Sequence, residues 1–293
     1  MNPRIPLFCA ALTYSGSTNA CMTFEPGANR LASQFRGQRD LIVWDEARHK
    51  EHFIRYAKFK GDGGVVDFVA PTPSIPTIAE VDENTFNLLA NITRSWVNSI
   101  GGSAGGMAGG GGGGGGVIVE RESVIGGYRA TTLRASSTSD LQQWLQQNSY
   151  QISPDRREWL EFYVRKGWFL TAFRLESKSA EFAASAIRMT FATTQPFCPY
   201  YVPKSNWGSG AALEVFFVGS QQYTGRIGEF SRRPWAGKAV FNEALRPEES
   251  RKIAKAIKIS GNEMPQDAII SRFVDNSFAR GATDDLFFSE VRR

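Results

Sequence analysis

The sequence predicts an α+β protein with antiparallel sheets and a few packed helices. Short runs of β-branched and aromatic residues recur between polar turns, and four longer segments carry the apolar spacing of helices. A glycine-rich tract, residues 101–116, contains 12 glycines in 16 positions. Glycine at that density cannot hold a packed conformation against its chain entropy. The tract is therefore predicted to be a flexible linker between an N-terminal lobe (residues 21–100) and a C-terminal lobe (residues 117–293).

The N-terminal lobe is predicted to contain three strands and one helix. The strands are expected at residues 40–44, 53–59 and 65–70, which are rich in β-branched and aromatic residues. Three prolines between residues 71 and 76 then force an extended path. A helix is predicted at about residues 83–96.

The C-terminal lobe opens with a predicted hairpin and two helices. Strands at residues 117–124 and 128–135 flank Gly126-Gly127, a two-residue turn. A capping-box pattern at residues 139–142 starts a helix whose apolar face is formed by Leu141, Trp144 and Leu145. Ser153 and Pro154 start the next helix, and Gly167 ends it. Further strands are predicted at residues 168–175, 186–193 and 213–218, and a further helix at about 247–259.

Composition and charge narrow the function classes. The formal net charge is +5, but the basic residues are spread along the chain rather than clustered as in a nucleic-acid-binding protein. No nucleic-acid partner is therefore expected. The sequence contains no run of about 20 apolar residues, so no membrane-spanning segment is expected. The 21 Phe and seven Trp predict aromatic packing or an aromatic surface patch.

The N-terminus has the pattern of a signal peptide, residues 1–20. Arg4 precedes a short apolar core, and Thr18 and Ala20 occupy the small-residue positions before Cys21. Cleavage there would leave Cys21 and Cys198, an even pair that is a candidate disulfide in an exported protein. Two unpaired thiols, or Cys21 as a lipid-modified terminus, are the alternatives.

The chain offers few candidates for chemistry. Its only histidines, His49 and His52, are spaced H-x-x-H, which two metal ligands can adopt. Their flanking residues instead favour a solvated turn between two strands, and Asp284-Asp285 is expected to form a solvated turn into a last strand. Phosphate-loop and calcium-loop motifs are absent, and a G-x-S-x-G match at Ser103 lies within the glycine tract. No cofactor and no catalytic residue is predicted.

Three segments resemble the bacterial family called domain of unknown function 2330. They are VIGGYRATTLRASSTSDLQQWLQQNSYQISPDRREWLEFYVRKGWFLTAFRL, FKGDGGVVDFVAPTPSIPTIAEVDENTF and AIISRFVDNSFARGATDDLFFSEV. Family members resemble exported proteins with a cysteine just after the signal sequence. The family usually has glycine in the turn after the first of the two helices, where this chain has Ser149. The resemblance implies export and brings no reaction, cofactor or catalytic residue.

Together these patterns favour a non-catalytic exported protein, a binding or structural module of the cell envelope or exterior with an unknown partner there. The localisation would be periplasmic, cell-surface or secreted. A hydrolase of unrecognised type that uses dispersed carboxylates is the alternative, because paired carboxylates can be distant in sequence. A metal-binding protein that uses His49 and His52 is a third hypothesis.

Overall fold

The computed structural model describes residues 22–24, 38–57, 65–82, 84–94, 116–125, 127–150, 152, 154–176, 186–204, 212–231, 233–277 and 281–291. Within these residues it contains three sheets and four helices. The predicted α+β class is confirmed. Within the same ranges, no helix combines the length and the apolar character that crossing a bilayer requires.

The strands are β1 (Met22–Phe24), β2 (Gln38–Asp45), β3 (Lys50–Ala57), β4 (Val65–Thr72), β5 (Thr77–Glu80), β6 (Val117–Ile125), β7 (Tyr128–Ala135), β8 (Phe169–Glu176), β9 (Ile187–Ala192), β10 (Phe197–Cys198), β11 (Leu213–Gly219), β12 (Tyr223–Ile227), β13 (Lys238–Ala244), β14 (Ile269–Asp275) and β15 (Leu286–Glu290). The helices are α1 (Thr85–Ile92), α2 (Thr138–Gln147), α3 (Pro154–Arg165) and α4 (Pro247–Ala256).

Strands from both sides of the glycine-rich tract pair within the two large sheets. The five-stranded sheet has the order β1-β4-β8-β7-β6, and the seven-stranded sheet has the order β13-β14-β11-β2-β3-β9-β5. A third sheet has the order β10-β15-β12. All pairs are antiparallel except β11 and β2, which are parallel. The two predicted lobes therefore share their sheets, and their separation by a linker is not confirmed. Residues 101–115 lie outside the described residues.

The sheets and helices form layers around a shared core. The inner faces of the two large sheets pack against the three-stranded sheet through aromatic residues such as Phe53, Phe173 and Phe288. Helices α2 and α3 cover the outer face of the five-stranded sheet, with Trp144 and Trp159 buried beneath them. Helices α1 and α4 cover the outer face of the seven-stranded sheet. Because layers pack against both faces of that sheet, most of the described side chains of β2 and β3 are buried.

The edge strands β6 and β13 each carry a bulge. The register shifts between Val119 and Arg121 in β6, and between Ala239 and Phe241 in β13. A bulge twists a strand locally and interrupts its ladder, which protects an edge from pairing with another chain. The apolar residues exposed on β6 therefore lie on a protected edge.

The helices differ from the prediction mainly at their ends. The N-cap of α2 is Ser137, whose Oγ accepts from Asp140 N at 3.1 Å, and not Ser139. Ser153, the predicted cap of α3, lies outside the described residues. Helix α4 ends at Ala256, three residues before the predicted end, because Lys258 adopts the left-handed conformation, with φ 55°. Arg188 of β9 donates to the carbonyl oxygens of Ile257 and Lys258.

Candidate functional site

The two histidines lie in different environments. His49 follows the 3-10 turn Glu46–Arg48, adopts φ 48° and ψ 47°, and is exposed. His52 lies on β3 and is 1% exposed. Only His49 lies in the solvated turn that the sequence predicts. For His52 that prediction is wrong, because β3 already begins at Lys50 and the elements that pack against this face of the sheet bury the His52 side chain.

His52 contacts a hydroxyl group and lies close to a carboxylate. Its Nδ1 lies 2.8 Å from Thr190 Oγ1 on β9, and its Nε2 lies 4.0 Å from Glu263 Oε1, without a hydrogen bond. Burial lowers the pKa of His52 to about 4, so the ring is neutral at neutral pH. A hydroxyl group beside a histidine acts as a nucleophile only if it can contact a substrate. Thr190 is instead paired within the sheet, opposite His52 of β3 on one side and Thr77 of β5 on the other. The arrangement is a cross-strand contact that fixes the ring.

The surroundings of His49 and His52 in the described residues do not supply the set of ligands that a metal ion requires. Within the part of the chain that the structure describes, no three His, Cys, Asp or Glu side chains form a group that fits a metal ion. Zinc sites use three or four protein ligands. Among the described residues, the carboxylate within 4.0 Å of the His52 ring is that of Glu263. Metal binding at His49 and His52 therefore stays a prediction from spacing alone.

A polar group lies buried on the inner face of β2 and β3. Asp40 is 0% exposed, and its Oδ2 accepts from Gln38 Nε2 and, at 3.2 Å, from the thiol of Cys198. Asp40 Oδ1, Gln38 Oε1 and Arg55 Nη1 are buried without a hydrogen-bond partner. Burial raises the pKa of Asp40, although the charge of Arg55 opposes this effect. A carboxyl group so enclosed cannot meet a substrate from solution.

Glu51 lies further along the same inner face. Its Oε2 accepts from Phe197 N at 2.8 Å, and its Oε1 has no hydrogen-bond partner. Burial raises the pKa of Glu51 well above its ordinary value, and one backbone donor does not offset this. Glu51 therefore favours the neutral form inside the protein.

Asp285 lies in a different kind of buried group, which we call the Asp285 clasp (Asp285, Tyr163, Lys166 and Tyr200). Its Oδ1 accepts from Tyr163 Oη at 2.6 Å and from Tyr200 N at 3.1 Å, and its Oδ2 accepts from Lys166 Nζ at 2.8 Å. The clasp joins the end of α3 to the start of β15. The predicted last strand is present, but the solvated turn is wrong for Asp285, which is 0% exposed.

The predicted disulfide is not tested by the described residues. Cys198 is buried, and its thiol lies within hydrogen-bonding distance of Asp40 Oδ2 and Pro199 O. Cys21 lies outside the described residues, as do the signal-peptide positions. The pairing of Cys21 with Cys198 stays a prediction.

The most exposed apolar side chain among the described residues is Phe230, at 92%. It lies at the tip of a turn that follows β12, which we call the Phe230 turn (residues 228–231 and 233). Large apolar side chains usually lose contact with water when a protein folds, because burial of their surface stabilises the folded state. The ring of Phe230 therefore makes little contact with the core and is available for contact with another molecule.

Backbone hydrogen bonds fix the shape of the Phe230 turn. Ile227 N donates to Arg233 O at 3.0 Å, and Ser231 N donates to Gly228 O at 3.3 Å. Gly228 has φ 88°, a conformation that favours glycine, and its N donates to Asp285 O at 2.8 Å. Backbone hydrogen bonds therefore close the base of the turn and connect it to the backbone of Asp285 in the Asp285 clasp.

Side chains hold the turn from outside. Arg226 donates through Nε and Nη2 to Glu229 O, at 3.2 and 2.8 Å. Arg233 Nη1 donates to Thr283 Oγ1 at 3.0 Å. Beyond the turn, Trp235 is buried and its Nε1 donates to Asp275 Oδ2 at 2.8 Å. Phe230 is thus presented on a preorganised scaffold.

Comparison with known families identifies the chain. The model of the family described as "uncharacterized protein conserved in bacteria (DUF2330)" matches residues 20–218, which is more than half of the sequence. The chain belongs to this family. The resemblance stated from the sequence is confirmed over that range. The DUF2330 match ends before β12, so the Phe230 turn lies outside the matched residues. The third segment named above, residues 268–291, also lies outside them, and its resemblance stays a prediction.

No curated protein matches the sequence. Three similar solved structures are of baculovirus P35. Two are crystal structures of a mutated P35 after caspase cleavage: one at 2.7 Å has 11% identity and a TM-score of 0.36 and covers 71% of this chain and 77% of that one. The other, at 3.1 Å, has 7% identity and a TM-score of 0.40, with 90% and 100% covered. The crystal structure of P35 itself has 8% identity and a TM-score of 0.39, with 88% and 92% covered. Similarity this low says nothing about function.

The sequence of this DUF2330 member did not reveal Phe230. Phe is frequent in the chain, with 21 occurrences, and nearly all the described ones are in or against the core. The only local signal is Gly228 two residues earlier, which predicts a turn but not which way the aromatic side chain points.

Proposed function

We propose that the protein is an exported, non-catalytic binding module of the cell envelope or cell exterior. The observation that carries the proposal is Phe230, a 92% exposed aromatic ring on a turn held by hydrogen bonds on both sides. Binding costs less when the contact element already has its bound shape, because little conformational entropy is lost. Aromatic side chains are also enriched among the residues that contribute most to binding.

The proposed export has support from the N-terminal pattern that ends before Cys21 and from the family resemblance. It is tested on the native protein by fractionation of the cells and mass spectrometry of the intact chain. We expect a chain that begins at Cys21 in the envelope or external fraction. A full-length chain in the cytosolic fraction would contradict export.

The binding role is tested by affinity capture from the native envelope fraction with three immobilised proteins: the wild type, Phe230→Ala and Val240→Ala. Val240 is a suitable control because it is also an exposed apolar residue, at 48%, but lies on edge strand β13. We expect the Phe230 variant to lose at least one component that the wild type and the control retain. Identical captured material from all three proteins would contradict the role of the Phe230 turn.

A further inference from the structure

The ammonium of Lys166 lies against two carboxylates and four aromatic rings. Its Nζ is 2.8 Å from Asp285 Oδ2 and 2.9 Å from Asp284 Oδ1. Four rings have their centres between 4.4 and 6.0 Å from the same atom, those of Phe162, Tyr163, Trp168 and Phe287. The Lys166 side chain is 23% exposed, and that of Asp285 is 0% exposed. The fold thus holds a lysine amine against a fully buried carboxyl group.

Hydrogen-bond donors hold the other oxygen of Asp285. Its Oδ1 accepts from Tyr163 Oη at 2.6 Å, from Tyr200 N at 3.1 Å and from Tyr201 N at 3.5 Å. Donors that already point at an oxygen stabilise the negative charge that develops on it when a nucleophile attacks the adjacent carbon. The site therefore contains an amine, an acyl carbon whose oxygen is held by donors and, in Asp284, a carboxylate that can accept and return protons.

We propose that Lys166 and Asp285 join in an intramolecular amide bond after the chain has folded. Asp284 accepts a proton from the ammonium, and the amine then attacks Cγ of Asp285. The bond from Nζ to Cγ forms, and the bond from Cγ to Oδ2 breaks. Asp284 relays two protons in turn from Nζ to Oδ2, which leaves as water. An ammonium and a carboxylate become one amide and one water, without an oxidant, a reductant or an added reagent.

The bond is expected to form slowly and then to persist. Burial alone would lower the pKa of Lys166, but Asp285 and Asp284 raise it, so the reactive amine is a minor species. Contact between the two groups offsets this, because they react without having to meet by diffusion. Lys166 and Asp285 are 119 positions apart, so the bond closes a long loop and restricts the unfolded chain. Until it forms, the two side chains remain the hydrogen-bonded pair of the Asp285 clasp.

The bond is detected by mass spectrometry of the full chain after folding and prolonged incubation. The linked chain should be one water lighter than the unlinked chain. After digestion with trypsin, residues 166–174 and 281–292 should appear as one linked peptide, because trypsin does not cut after an acylated lysine. If these residues stay in separate peptides throughout the incubation, the inference is overturned.

Two variants and an internal control assign the reaction to its residues. Lys166→Arg keeps the positive charge, but its guanidinium stays protonated, so no linked peptide should form. Asp284→Asn keeps Lys166 and Asp285 but cannot relay protons, so linkage should be about a hundredfold slower or more. The pair of Lys50 and Glu263, at 3.3 Å, should stay unlinked because its carboxylate is 23% exposed.

The variants can also contradict the inference. A linked peptide in Lys166→Arg would overturn it, and an unchanged rate in Asp284→Asn would overturn the role of Asp284. Equal linkage of Lys50 with Glu263 would show that contact alone is sufficient and would overturn the argument from the buried site. Circular dichroism of each variant verifies that the fold is retained. Neither Phe230 nor export enters the reaction, so this inference and the proposed function fail separately.

Discussion

Glu51 and Asp285 are two carboxyl groups with 0% exposure whose surroundings differ. Glu51 accepts a single hydrogen bond, from Phe197 N, and burial raises its pKa well above the ordinary value. Asp285 accepts from a phenol, a backbone amide and the ammonium of Lys166. Burial is the same in both places, so the number and charge of the donors decide how each group contributes to stability.

The pKa of Lys166 likewise depends on burial and on the charge of the neighbouring groups. Burial alone would lower the pKa of its ammonium, but Asp285 and Asp284 outweigh that effect and raise it. The ammonium also lies 4.4 Å from the centre of the Phe162 ring and 4.8 Å from that of Trp168. The clasp is therefore a complete ionic group, whereas the inner face of β3 holds a carboxyl group that is short of donors.

The largest expected effect comes from Asp285→Asn. The variant keeps the shape of the side chain but removes the more buried of the two carboxylates that pair with Lys166, and Asp284 remains 2.9 Å from the ammonium. Loss of a hydrogen bond to a charged group costs about 1.5–3 kcal/mol. We expect a loss of that size in the free energy of unfolding, measured by urea denaturation with tryptophan fluorescence at pH 7.5.

The control for this variant is Glu161→Gln on α3. Glu161 Oε1 lies 3.8 Å from Arg165 Nη1, and both side chains are largely exposed. Such surface pairs contribute between about 0 and 1 kcal/mol. A cost for Asp285→Asn no larger than that of the control would show that the clasp does not stabilise the fold.

Glu51 and His52 lie on opposite faces of β3, Glu51 on the inner face and His52 on the outer face, and their contributions to stability should depend on pH in opposite ways. For His52 the folded pKa, about 4, is below the ordinary 6.5. Between these values the unfolded chain binds a proton that the folded one does not, so stability is full above pH 6.5 and falls as pH drops toward 4. The loss at pH 5 is about 2 kcal/mol, and His52→Gln should abolish it.

Glu51 has the opposite sign. Its folded pKa is above the ordinary 4.5, so the folded protein keeps a proton that the unfolded chain releases. Stability from this group is full below pH 4.5 and falls as pH rises, by up to about 1.4 kcal/mol per pH unit. Glu51→Gln should therefore become more stable relative to the wild type between pH 5 and 7.5, whereas His52→Gln should become less so. Urea denaturation at both pH values measures this, and changes of equal sign would refute the contrast.

Local patterns explain which parts of the fold the sequence predicts. The hairpin β6–β7 and helices α2 and α3 follow from turn glycines, caps and apolar spacing within a few residues of each other. Strands such as β10 and β13 give no such signal. Strand β10 has only two residues, and β13 has mostly exposed or half-buried ones. Both form because β15 and β14 offer partners that are distant in sequence.

The candidate site was predictable to a smaller extent. The spacing of His49 and His52 is visible in the sequence, but one residue of difference in the start of β3 decides whether a side chain is exposed or buried. The partners of His52, Thr190 and Glu263, are more than 130 residues away. The sequence does not distinguish Phe230 from the phenylalanines of the core, because its exposure to solvent is determined by the tertiary structure.

The smallest expected effect concerns the backbone at the ends of α2 and α3. Helix α3 is followed by Gly167 at φ 69°, whereas α2 is followed by the exposed Ser149 at φ 64°. The left-handed region costs about 1 kcal/mol for a residue with a Cβ, so Ser149→Gly should raise the free energy of unfolding by up to that amount. Gly167→Ala should lower it by about 1 kcal/mol, with strain as the only cost, because a Cβ there would meet no atom within 4 Å. Ser149→Ala is the control in urea denaturation. It keeps the Cβ and should bring no gain, so a gain equal to that of glycine would show that strain is not the cause.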